Sequence, residues 1–435
     1  MKLSLLYSEL NDNPKLGIKE IRLKKLQNID DLAFFGAQPL FEQNLHVGRP
    51  NVGNLESFNK NLDDIFEKRW FSNNGEYVQK LEAEFCQLLQ VKNCIAVTNA
   101  TIGLMMLSKA LNLKGEVIVP SYTFIATAHA LALQGITPIF CDVDPITQNI
   151  DLSKIEALIN HKTTGILGVH LWGRPCDVDS LQTLAQKYKI KLFFDAAHAV
   201  GCTYKGKMVG GFGNAEVFSL HATKIINAFE GGIISTNDDS IAAQCRLLRN
   251  FGFSNLDQVE GLGFNGKMTE VSAAMGLSSL SQLPIFINRN LENYNEYKKQ
   301  LASIPSLQLL DYDPNEKNNY HYIATKWTND GFLNRDDLVL ILHKENIRVR
   351  KYYYPGCHRS QPYVSTNKYH LPVTDKLAAT SLCFPNGESV SKTEIQAIAE
   401  LINFIYLNRT KISSRIKKRD HDEKNFLHSS PSLPK

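Results

Sequence analysis

Between about residue 90 and residue 240, short apolar runs alternate with segments whose apolar residues recur at helical spacing. This alternation predicts βαβ units around a sheet, rather than a helical bundle or a β-sandwich. Helices are predicted in TIGLMMLSKALNL, where Leu104, Leu107 and Leu111 share a face, and in DVDSLQTLAQKYKI. The runs predicted to be strands are CIAVTN, EVIVPS, TPIFCDVD, TGILGVH, KLFFDAA, AEVFSLH and GGIIST.

The connections between the later strands are too short for full crossover helices. The glycine-bearing turn in TYKGKMVGGFG predicts a hairpin and therefore a mixed sheet. The long polar helix NRNLENYNEYKKQLASI then leads into a smaller α+β segment. These changes predict an N-terminal arm at 1–60, a large α/β domain at 61–285, a small C-terminal domain at 286–408 and a basic, disordered tail at 409–435.

Composition places the chain among ordinary globular proteins, with 43% hydrophobic and 21% charged residues in a length of 435. It has neither a run of about 18 apolar residues nor a signal-peptide pattern, so we expect a cytoplasmic protein without membrane insertion. The net charge of +4 comes from the tail, which holds eight Lys or Arg against three acids. A solvated tail is favoured over a nucleic-acid contact, so no nucleic-acid partner is expected. The eight cysteines lack metal-ligand spacing, which predicts reduced core residues and no metal site.

Ligands of such sheets bind outside the carboxyl ends of the strands, so the residues that follow each apolar run are candidates for a site. AVTNATIGL places Thr101 at the start of a helix, where either a bound phosphate or a simple N-cap is expected. In VPSYTFIAT, Tyr122 and Phe124 either stack on a planar ring or pack in the core. Asp195 ends an apolar strand, where a carboxylate is costly unless it is paired; a helix N-cap is the alternative.

Lys224 lies five positions after the strand-end residue Ser219 and is followed by Ile225 and Ile226. Most lysines are solvated surface charges, but an amine in apolar surroundings loses its charge more readily, as a Schiff-base nucleophile must. A lysine for an imine, a carboxylate such as Asp195 for a pyridinium nitrogen, an aromatic ring for stacking and a helix start for a phosphate together describe a pyridoxal phosphate (PLP) site.

These motifs resemble the DegT-type sugar aminotransferases, which belong to the fold type I PLP-dependent enzymes. The resemblance covers roughly residues 35 to 405. It implies a mostly parallel, mixed seven-stranded sheet with helices on both faces, plus a smaller C-terminal α+β domain. The motifs stand in the family's order: WFSNNGEYVQKLE, TNATIGLMMLSKAL, VPSYTFIATAHAL, FFDAAHAVG, FSLHATK, EGGIIST and GFNGKMTEVSAAMGL.

The resemblance also implies roles at the matching positions. Lys224 is implied to form the Schiff base and to move the proton, Asp195 to pair with the pyridine nitrogen, and His198 to contact the ring face or the phenolic oxygen. Phe124 is implied to stack on the ring. PLP is the implied cofactor, with pyridoxamine phosphate as the form between the half-reactions. The phosphate ligands are implied to be Ala100, Thr101 and Ser219, together with Asn265 from the neighbouring subunit of a homodimer.

Two positions depart from the common family pattern. Many members carry glutamine at the position of His198, and a histidine there is expected to make a contact that depends on its protonation. Many members carry arginine at the position of Lys267, and lysine lacks the bidentate fork of arginine. The presence of Lys224 favours transamination, because relatives that dehydrate a keto-deoxysugar have histidine at that position.

For the substrate, the resemblance is the guide. PLFEQNLHVGRPNVGN and VHLWGRPCDVDSL look most like the branch that aminates C4 of dTDP-4-keto-6-deoxyglucose. Glutamate is the implied amino donor, and the implied product is a 4-amino-4,6-dideoxy sugar nucleotide for lipopolysaccharide, another polysaccharide or a glycoside. The alternatives are a GDP-4-keto-6-deoxymannose 4-aminotransferase, like perosamine synthase, a 3-aminotransferase, and a catalytically silent regulatory homologue. Arg350, Tyr354 and His358 either line the nucleotide-sugar side of the cleft or form a surface turn.

Overall fold

A computed structural model describes residues 24–328, 331–364 and 369–418. Its strands are β1 (Leu45–His46), β2 (Asn93–Val97), β3 (Glu116–Pro120), β4 (Thr137–Cys141), β5 (Thr163–Val169), β6 (Lys191–Asp195), β7 (Thr203–Tyr204), β8 (Lys207–Met208), β9 (Glu216–Ser219), β10 (Gly232–Thr236), β11 (Leu307–Leu309), β12 (Ile323–Trp327), β13 (Ile347–Arg348) and β14 (Ser381–Phe384). Its α-helices are α1 (Leu55–Lys68), α2 (Glu76–Leu89), α3 (Ala100–Ala110), α4 (Ala126–Ala132), α5 (Leu152–Ile155), α6 (Val178–Tyr188), α7 (Asp239–Arg249), α8 (Glu270–Leu280), α9 (Leu283–Leu301), α10 (Arg335–Lys344), α11 (Gln361–Val364), α12 (Pro372–Thr380) and α13 (Lys392–Leu407).

The central sheet has seven strands in the order β2-β10-β9-β6-β5-β3-β4. These are the strands that the apolar runs predict, so that prediction is confirmed. The sheet is mixed because β10 runs antiparallel to both of its neighbours, β2 and β9. The predicted hairpin is also present, but β7 and β8 form a separate two-stranded sheet. The mixed character therefore has a different origin from the one that the turn in TYKGKMVGGFG indicates.

Helices cover both faces of the central sheet, which explains why its strands are apolar throughout. Successive residues of a strand point to opposite faces. Accordingly, Phe193 packs with Leu104 and Leu107 on one face, whereas Phe194 packs with Leu181 on the other. With both faces buried, a run such as KLFF needs no alternation of polar and apolar residues. Asp195 ends this run at the carboxyl edge of the sheet, where its side chain is still buried.

A second, antiparallel sheet has the order β11-β12-β14, and its core includes residues of α9, α10 and α13. The N-terminal segment joins this part of the molecule, because β1 pairs in parallel with β13. Leu32 and Leu40 are buried in the same cluster as Leu338 and Ile398. The predicted domain boundaries stay predictions, and residues 1–23 of the predicted arm lie outside the described residues.

Residues 409–418 are helical, whereas the sequence predicts a disordered tail from residue 409. The physical reason is the fully buried Ile412, which packs in the core of the C-terminal part. Ser413 also donates its hydroxyl hydrogen to the carbonyl oxygen of Phe332 at 2.8 Å. The rest of the predicted tail, 419–435, lies outside the described residues. Within the described ranges, no helix has the length and apolar character that a membrane crossing requires.

Candidate active site

A cavity of about 640 Å³ lies at the edge of the central sheet where β2, β3, β6 and β9 end. Its position agrees with the rule that ligands of such sheets bind at the carboxyl ends of the strands. Its walls include all but one of the residues that the resemblance implies to be catalytic or to bind the cofactor: Ala100, Thr101, Phe124, Asp195, His198, Ser219 and Lys224. Tertiary folding thus brings together residues that lie as far apart in the chain as Ala100 and Lys224.

Lys224 lies in the loop after β9, where its backbone amide donates to the carbonyl of His221 at 2.8 Å. The side chain is half-buried at the cavity, and Nζ lies 3.1 Å from the phenol oxygen of Tyr322. Burial lowers the pKa of Lys224 to about 8, and the negative charge of Asp195 opposes this shift. About half of the amines are therefore neutral at pH 8, which is the form that attacks a carbonyl carbon.

Asp195 is the last residue of β6, and its side chain is buried. Thr127 donates its hydroxyl hydrogen to Oδ2 at 2.8 Å, and the amide of Ala197 donates to Oδ1 at 3.1 Å. Burial raises the pKa of this carboxyl above its usual range, while these two hydrogen bonds and the charge of Lys224 oppose the rise. A cationic ligand atom in the cavity would give this carboxylate the partner that favours its ionised form.

The first turn of α3 forms another wall of the cavity. Asn99 is the N-cap residue, and its Oδ1 accepts a hydrogen bond from the amide of Ile102 at 2.9 Å. The first amide bonded within the helix is that of Gly103, which donates to the carbonyl of Asn99 at 3.0 Å, so the amides of Ala100 and Thr101 come before it, at the end of the helix where the dipole favours an anion. A Cβ atom at Gly232 would lie 2.8 Å from the amide nitrogen of Ala100, so β10 needs glycine here. N-capping and anion binding are thus compatible at this helix start.

His198 is buried between aromatic rings. The amide of Trp172 donates to its Nδ1 at 3.2 Å, which leaves the ring proton on Nε2, 3.2 Å from the hydroxyl of Tyr353. The centre of the imidazole lies 4.4 Å from that of the Tyr322 ring. Burial and the charge of Lys224 hold the pKa of His198 well below its usual range. The imidazole is therefore neutral. The sequence predicts that its contact depends on protonation, and this prediction is wrong because burial keeps the ring neutral.

Asn265 and Lys267 are not part of the cavity wall of the single chain. Asn265 is exposed and pairs with Asn250 in an isolated antiparallel bridge. Its predicted contact with a neighbouring subunit involves a second chain and stays a prediction. Nζ of Lys267 lies 3.0 Å from Oδ1 of Asn250 and 4.6 Å from the ring centre of Phe251. Within the chain, Lys267 thus makes local contacts with the segment that precedes Asn265.

The segment RVRKYYYPGCHR contributes to the site only in part. Arg350 lines the cavity and also an adjoining cavity of about 550 Å³, which Tyr354 lines as well. His358 is buried elsewhere, with Nδ1 2.7 Å from Oγ of Ser121 and Nε2 3.1 Å from Oδ1 of Asp375. Arg350 and Tyr354 therefore remain candidates for ligand contacts, whereas His358 joins the loop after β3 to the C-terminal part of the chain.

Sequence patterns do not single out Tyr322 and Thr127, the residues that contact Lys224 and Asp195. Tyr322 comes just before β12 in the segment NNYHYI, which carries no motif signal. Thr127 follows Thr123 by four residues in SYTFIATAHAL. This spacing places two side chains on one face of a helical turn, and it is the signal that could have indicated the hydroxyl pair.

The residues of the cavity fit PLP. An amine with a lowered pKa at Lys224 suits an aldehyde, the buried carboxylate of Asp195 suits a protonated pyridine nitrogen, and the first turn of α3 suits a phosphate. The mixed seven-stranded sheet and this cavity define an enzyme with the fold of type I PLP-dependent aminotransferases.

Comparison with known proteins agrees with this class. The model of the DegT/DnrJ/EryC1/StrS aminotransferase family matches residues 54–403. Over 365 residues the chain is 35% identical to dTDP-4-amino-4,6-dideoxy-D-glucose transaminase of Shigella dysenteriae, which covers 84% of this chain and 100% of the relative. Over 357 residues it is 33% identical to GDP-perosamine synthase of Escherichia coli O157:H7, covering 80% of this chain and 95% of the relative. The crystal structure of DesI in the presence of its TDP-sugar product matches with a TM-score of 0.87 and 40% identity, over 90% of this chain and 100% of that one.

The chain belongs to the DegT/DnrJ/EryC1/StrS aminotransferase family. The matches span the whole length of the first relative and of DesI, so they include the C-terminal part as well as the central sheet. The family and the fold class that the sequence motifs predict are confirmed, and the protein is an aminotransferase.

Proposed function

We propose that this protein is a PLP-dependent aminotransferase that aminates C4 of a nucleotide-linked 4-keto-6-deoxysugar, with dTDP-4-keto-6-deoxyglucose as its substrate and glutamate as its amino donor. The observation that carries the chemistry is the amine of Lys224, whose pKa is lowered to about 8, in one cavity with Asp195. The choice of sugar rests on the similarity to proteins whose names refer to dTDP- or TDP-sugars. The 33% identity to a GDP-perosamine synthase makes GDP-4-keto-6-deoxymannose the second candidate.

The residues that would hold PLP are the candidates of the cavity wall. Lys224 would bond to its aldehyde carbon, Asp195 would pair with its ring nitrogen, and Phe124 would stack on its ring. The phosphate would be held by Ala100, Thr101 and Ser219. When bound, PLP supplies an acceptor for the electron pair that the amino donor releases at its α-carbon.

Nζ of Lys224 is the group that would move the proton. Its pKa of about 8 lets it take a proton from the α-carbon of the amino donor and release it again near neutral pH. General acid–base catalysis of this kind contributes about 10²–10⁴ to the rate. Burial raises the pKa of Tyr322 well above its usual range, so this phenol stays protonated and does not compete as a base. Its contact with Nζ at 3.1 Å instead holds the amine in place.

Asp195 would keep the ring nitrogen protonated. Burial alone raises the pKa of its carboxyl, but an opposite charge in contact lowers the pKa again and stabilises the ionised form. His198 is neutral, with its proton on Nε2, so it can make a polar contact without adding charge to the site. Asp195 would thus supply the negative charge at the ring nitrogen, and Lys224 would supply the amine that changes its protonation state.

Arg350 is our candidate for the anionic part of the substrates. Its backbone is fixed to Cys383 by two hydrogen bonds of 3.1 and 2.8 Å, and its guanidinium lies 5.2 Å from the ring centre of Tyr352. It lines both the cavity with Lys224 and the adjoining cavity that Tyr354 lines. A cation beside an aromatic ring suits a ligand that carries phosphate groups and a planar base.

We propose a homodimer in which Asn265 of one subunit contacts the phosphate bound by the other. Exposed apolar side chains in two segments of the chain support association with a second copy. Leu256 and Leu262, in the segment that leads to Asn265, are almost fully exposed, and Phe66 and Trp70 are exposed at the end of α1. Large apolar side chains of this kind are common at protein interfaces.

A cytoplasmic location and a role in lipopolysaccharide synthesis stay predictions.

The first experiment tests PLP chemistry. Wild-type protein reconstituted with PLP should show the visible absorbance of a lysine Schiff base, and borohydride should remove it. Lys224→Ala should lack the band, whereas Lys207→Ala, at an exposed position of β8, should keep it. A wild-type protein that stays colourless after reconstitution would refute the enzyme hypothesis and favour a catalytically silent regulatory role.

The second experiment identifies the substrate. The enzyme is incubated with glutamate and with dTDP- and GDP-linked 4-keto-6-deoxysugars, and NMR locates the new amine. We expect amination at C4 of the dTDP-sugar. Amination at C3, or reaction with the GDP-sugar alone, would refute the proposed substrate and leave the aminotransferase assignment intact.

A further inference from the structure

Asp195 receives its side-chain hydrogen bond from a threonine that the mechanism above does not use. Oγ1 of Thr127, fully buried, lies 2.8 Å from Oδ2 of Asp195 and 3.1 Å from Oγ1 of Thr123, which is buried as well. An ionised carboxylate only accepts hydrogen bonds, so Thr127 donates its single hydroxyl proton to Asp195 and accepts from Thr123. The three side chains thus form a chain of hydrogen bonds with one direction, from Thr123 through Thr127 to Asp195.

Backbone hydrogen bonds hold the two threonines in place. The amide of Thr127 donates to the carbonyl of Phe124 at 3.1 Å, which begins the helical turn that continues into α4. The carbonyl of Thr123 accepts from Sγ of Cys357 at 3.4 Å, a contact from a distant part of the chain. A buried threonine in a helix commonly bonds back to a carbonyl of its own helix. Thr127 instead bonds across to the end of β6, on a different element.

The carboxylate depends on these donors because it is buried. Burial is the largest influence on the pKa of Asp195 and raises it, and the hydrogen bond from Thr127 is the largest influence in the opposite direction. Neutral hydroxyls linked in a chain strengthen one another, so Thr123 adds to the effect of Thr127 without touching Asp195. The amide of Ala197 holds the other oxygen at 3.1 Å. Both oxygens of the carboxylate are therefore fixed before any ligand arrives.

We propose that Thr127, supported by Thr123, is a positioning residue of the aminotransferase reaction, which holds Asp195 ionised and correctly oriented for the ring nitrogen of the cofactor. This inference rests on the proposed function, because it takes PLP as the ligand that Asp195 meets. Thr127 acts through Asp195 rather than by touching the reacting atoms. We therefore expect substitutions of Thr127 to weaken cofactor binding as well as to slow the reaction.

The test is a titration of the cofactor-free enzyme with PLP, followed by fluorescence across a range of pH. Thr127→Val keeps the shape of the side chain and removes the donor, so we expect a loss of PLP affinity of about tenfold to a hundredfold, the range for a hydrogen bond to a charged group. The loss should be larger at low pH, where Asp195 protonates more readily without the donor. Thr127→Ser should restore most of the affinity. Thr325→Val is the matched control, because Thr325 is buried and donates to the carbonyl of Leu382 away from the cavity.

A double-mutant cycle separates positioning from packing. In an Asp195→Asn background, Thr127→Val should cause little further loss of PLP affinity, because the charge that the donor serves is gone. An equal loss in that background, or an unchanged affinity and pH dependence of Thr127→Val in the wild-type background, would overturn the inference.

A further variant keeps the test decisive if Thr127→Val does not fold. Thr123→Val leaves Asp195 and its first donor untouched, and we expect about a two- to fivefold loss of PLP affinity from the weakened chain; an unchanged affinity would then overturn the inference. A wild-type enzyme that fails to bind PLP would instead refute the proposed function. The two failures are therefore distinguishable.

Discussion

Replacing Lys224 with methionine tests whether its amine lies in the desolvated environment that imine formation needs. Burial lowers the pKa of Lys224 from 10.5 to about 8. At about 1.4 kcal/mol per pH unit, this shift destabilises the cofactor-free protein by roughly 3 kcal/mol at neutral pH, or by about 2 kcal/mol once water at the half-buried side chain screens the charge. Methionine has a similar length and no charge, so Lys224→Met should raise the free energy of unfolding by about that amount at pH 7.

The sign of the shift defines the pH range of this gain. Below pH 8 the amine is protonated in both the folded and the unfolded state, so the folded protein bears the full desolvation penalty. Between about pH 8 and 10.5 the folded state has lost the proton while the unfolded state keeps it, so the stability of the wild type rises with pH. The advantage of Lys224→Met should therefore shrink across this range and vanish above it.

Urea unfolding of the cofactor-free proteins at pH 7 and pH 10, at one protein concentration, measures the difference between variant and wild type. Lys207→Met, on the exposed strand β8, is the matched control and should show no such gain. A Lys224→Met protein that is no more stable than the wild type at pH 7 would contradict the reasoning. So would a gain of the same size at pH 10.

Three further predictions concern other parts of the molecule. His198→Gln should retain activity and leave the pH profile of kcat/KM unchanged, because burial already keeps the pKa of His198 well below its usual range. A shifted profile would show that the imidazole titrates during turnover. Arg350→Met should raise KM for an anionic substrate by about tenfold to a hundredfold, the range for a charge-assisted hydrogen bond, and Arg350→Lys should recover part of the loss. Single-turnover kinetics, measured separately with glutamate and with the nucleotide sugar, tell which anion Arg350 binds. Unchanged constants for both substrates would exclude the role. Ile412→Ala should lower the free energy of unfolding by about 2–4 kcal/mol, because Ile412 is fully buried; a loss below about 0.5 kcal/mol in urea unfolding would indicate that the helix at 409–418 contributes little.

Much of the site could be predicted from the sequence because its residues stand at strand ends. Apolar runs predict the strands, and the parallel arrangement places their carboxyl ends at one edge, so Asp195 and Lys224 are expected to meet there. The charge state of His198 could not be predicted in this way. It depends on burial and on the charge of Lys224, and the burial involves groups as distant in the chain as Tyr353, which is 155 residues away and contacts Nε2.

Sequence patterns alone predict the seven strands of the central sheet, the lysine and carboxylate of the candidate site, and the family of the protein. These follow from local patterns, because the period of apolar residues and the type of residue after a strand are properties of short segments. The position of β10 between β2 and β9, and the hydrogen bond from Thr127 to Asp195 across 68 residues of chain, follow from the folded structure and not from local patterns. Strand order, burial and hydrogen-bond partners depend on contacts between distant segments, and they set the pKa values on which the chemistry depends.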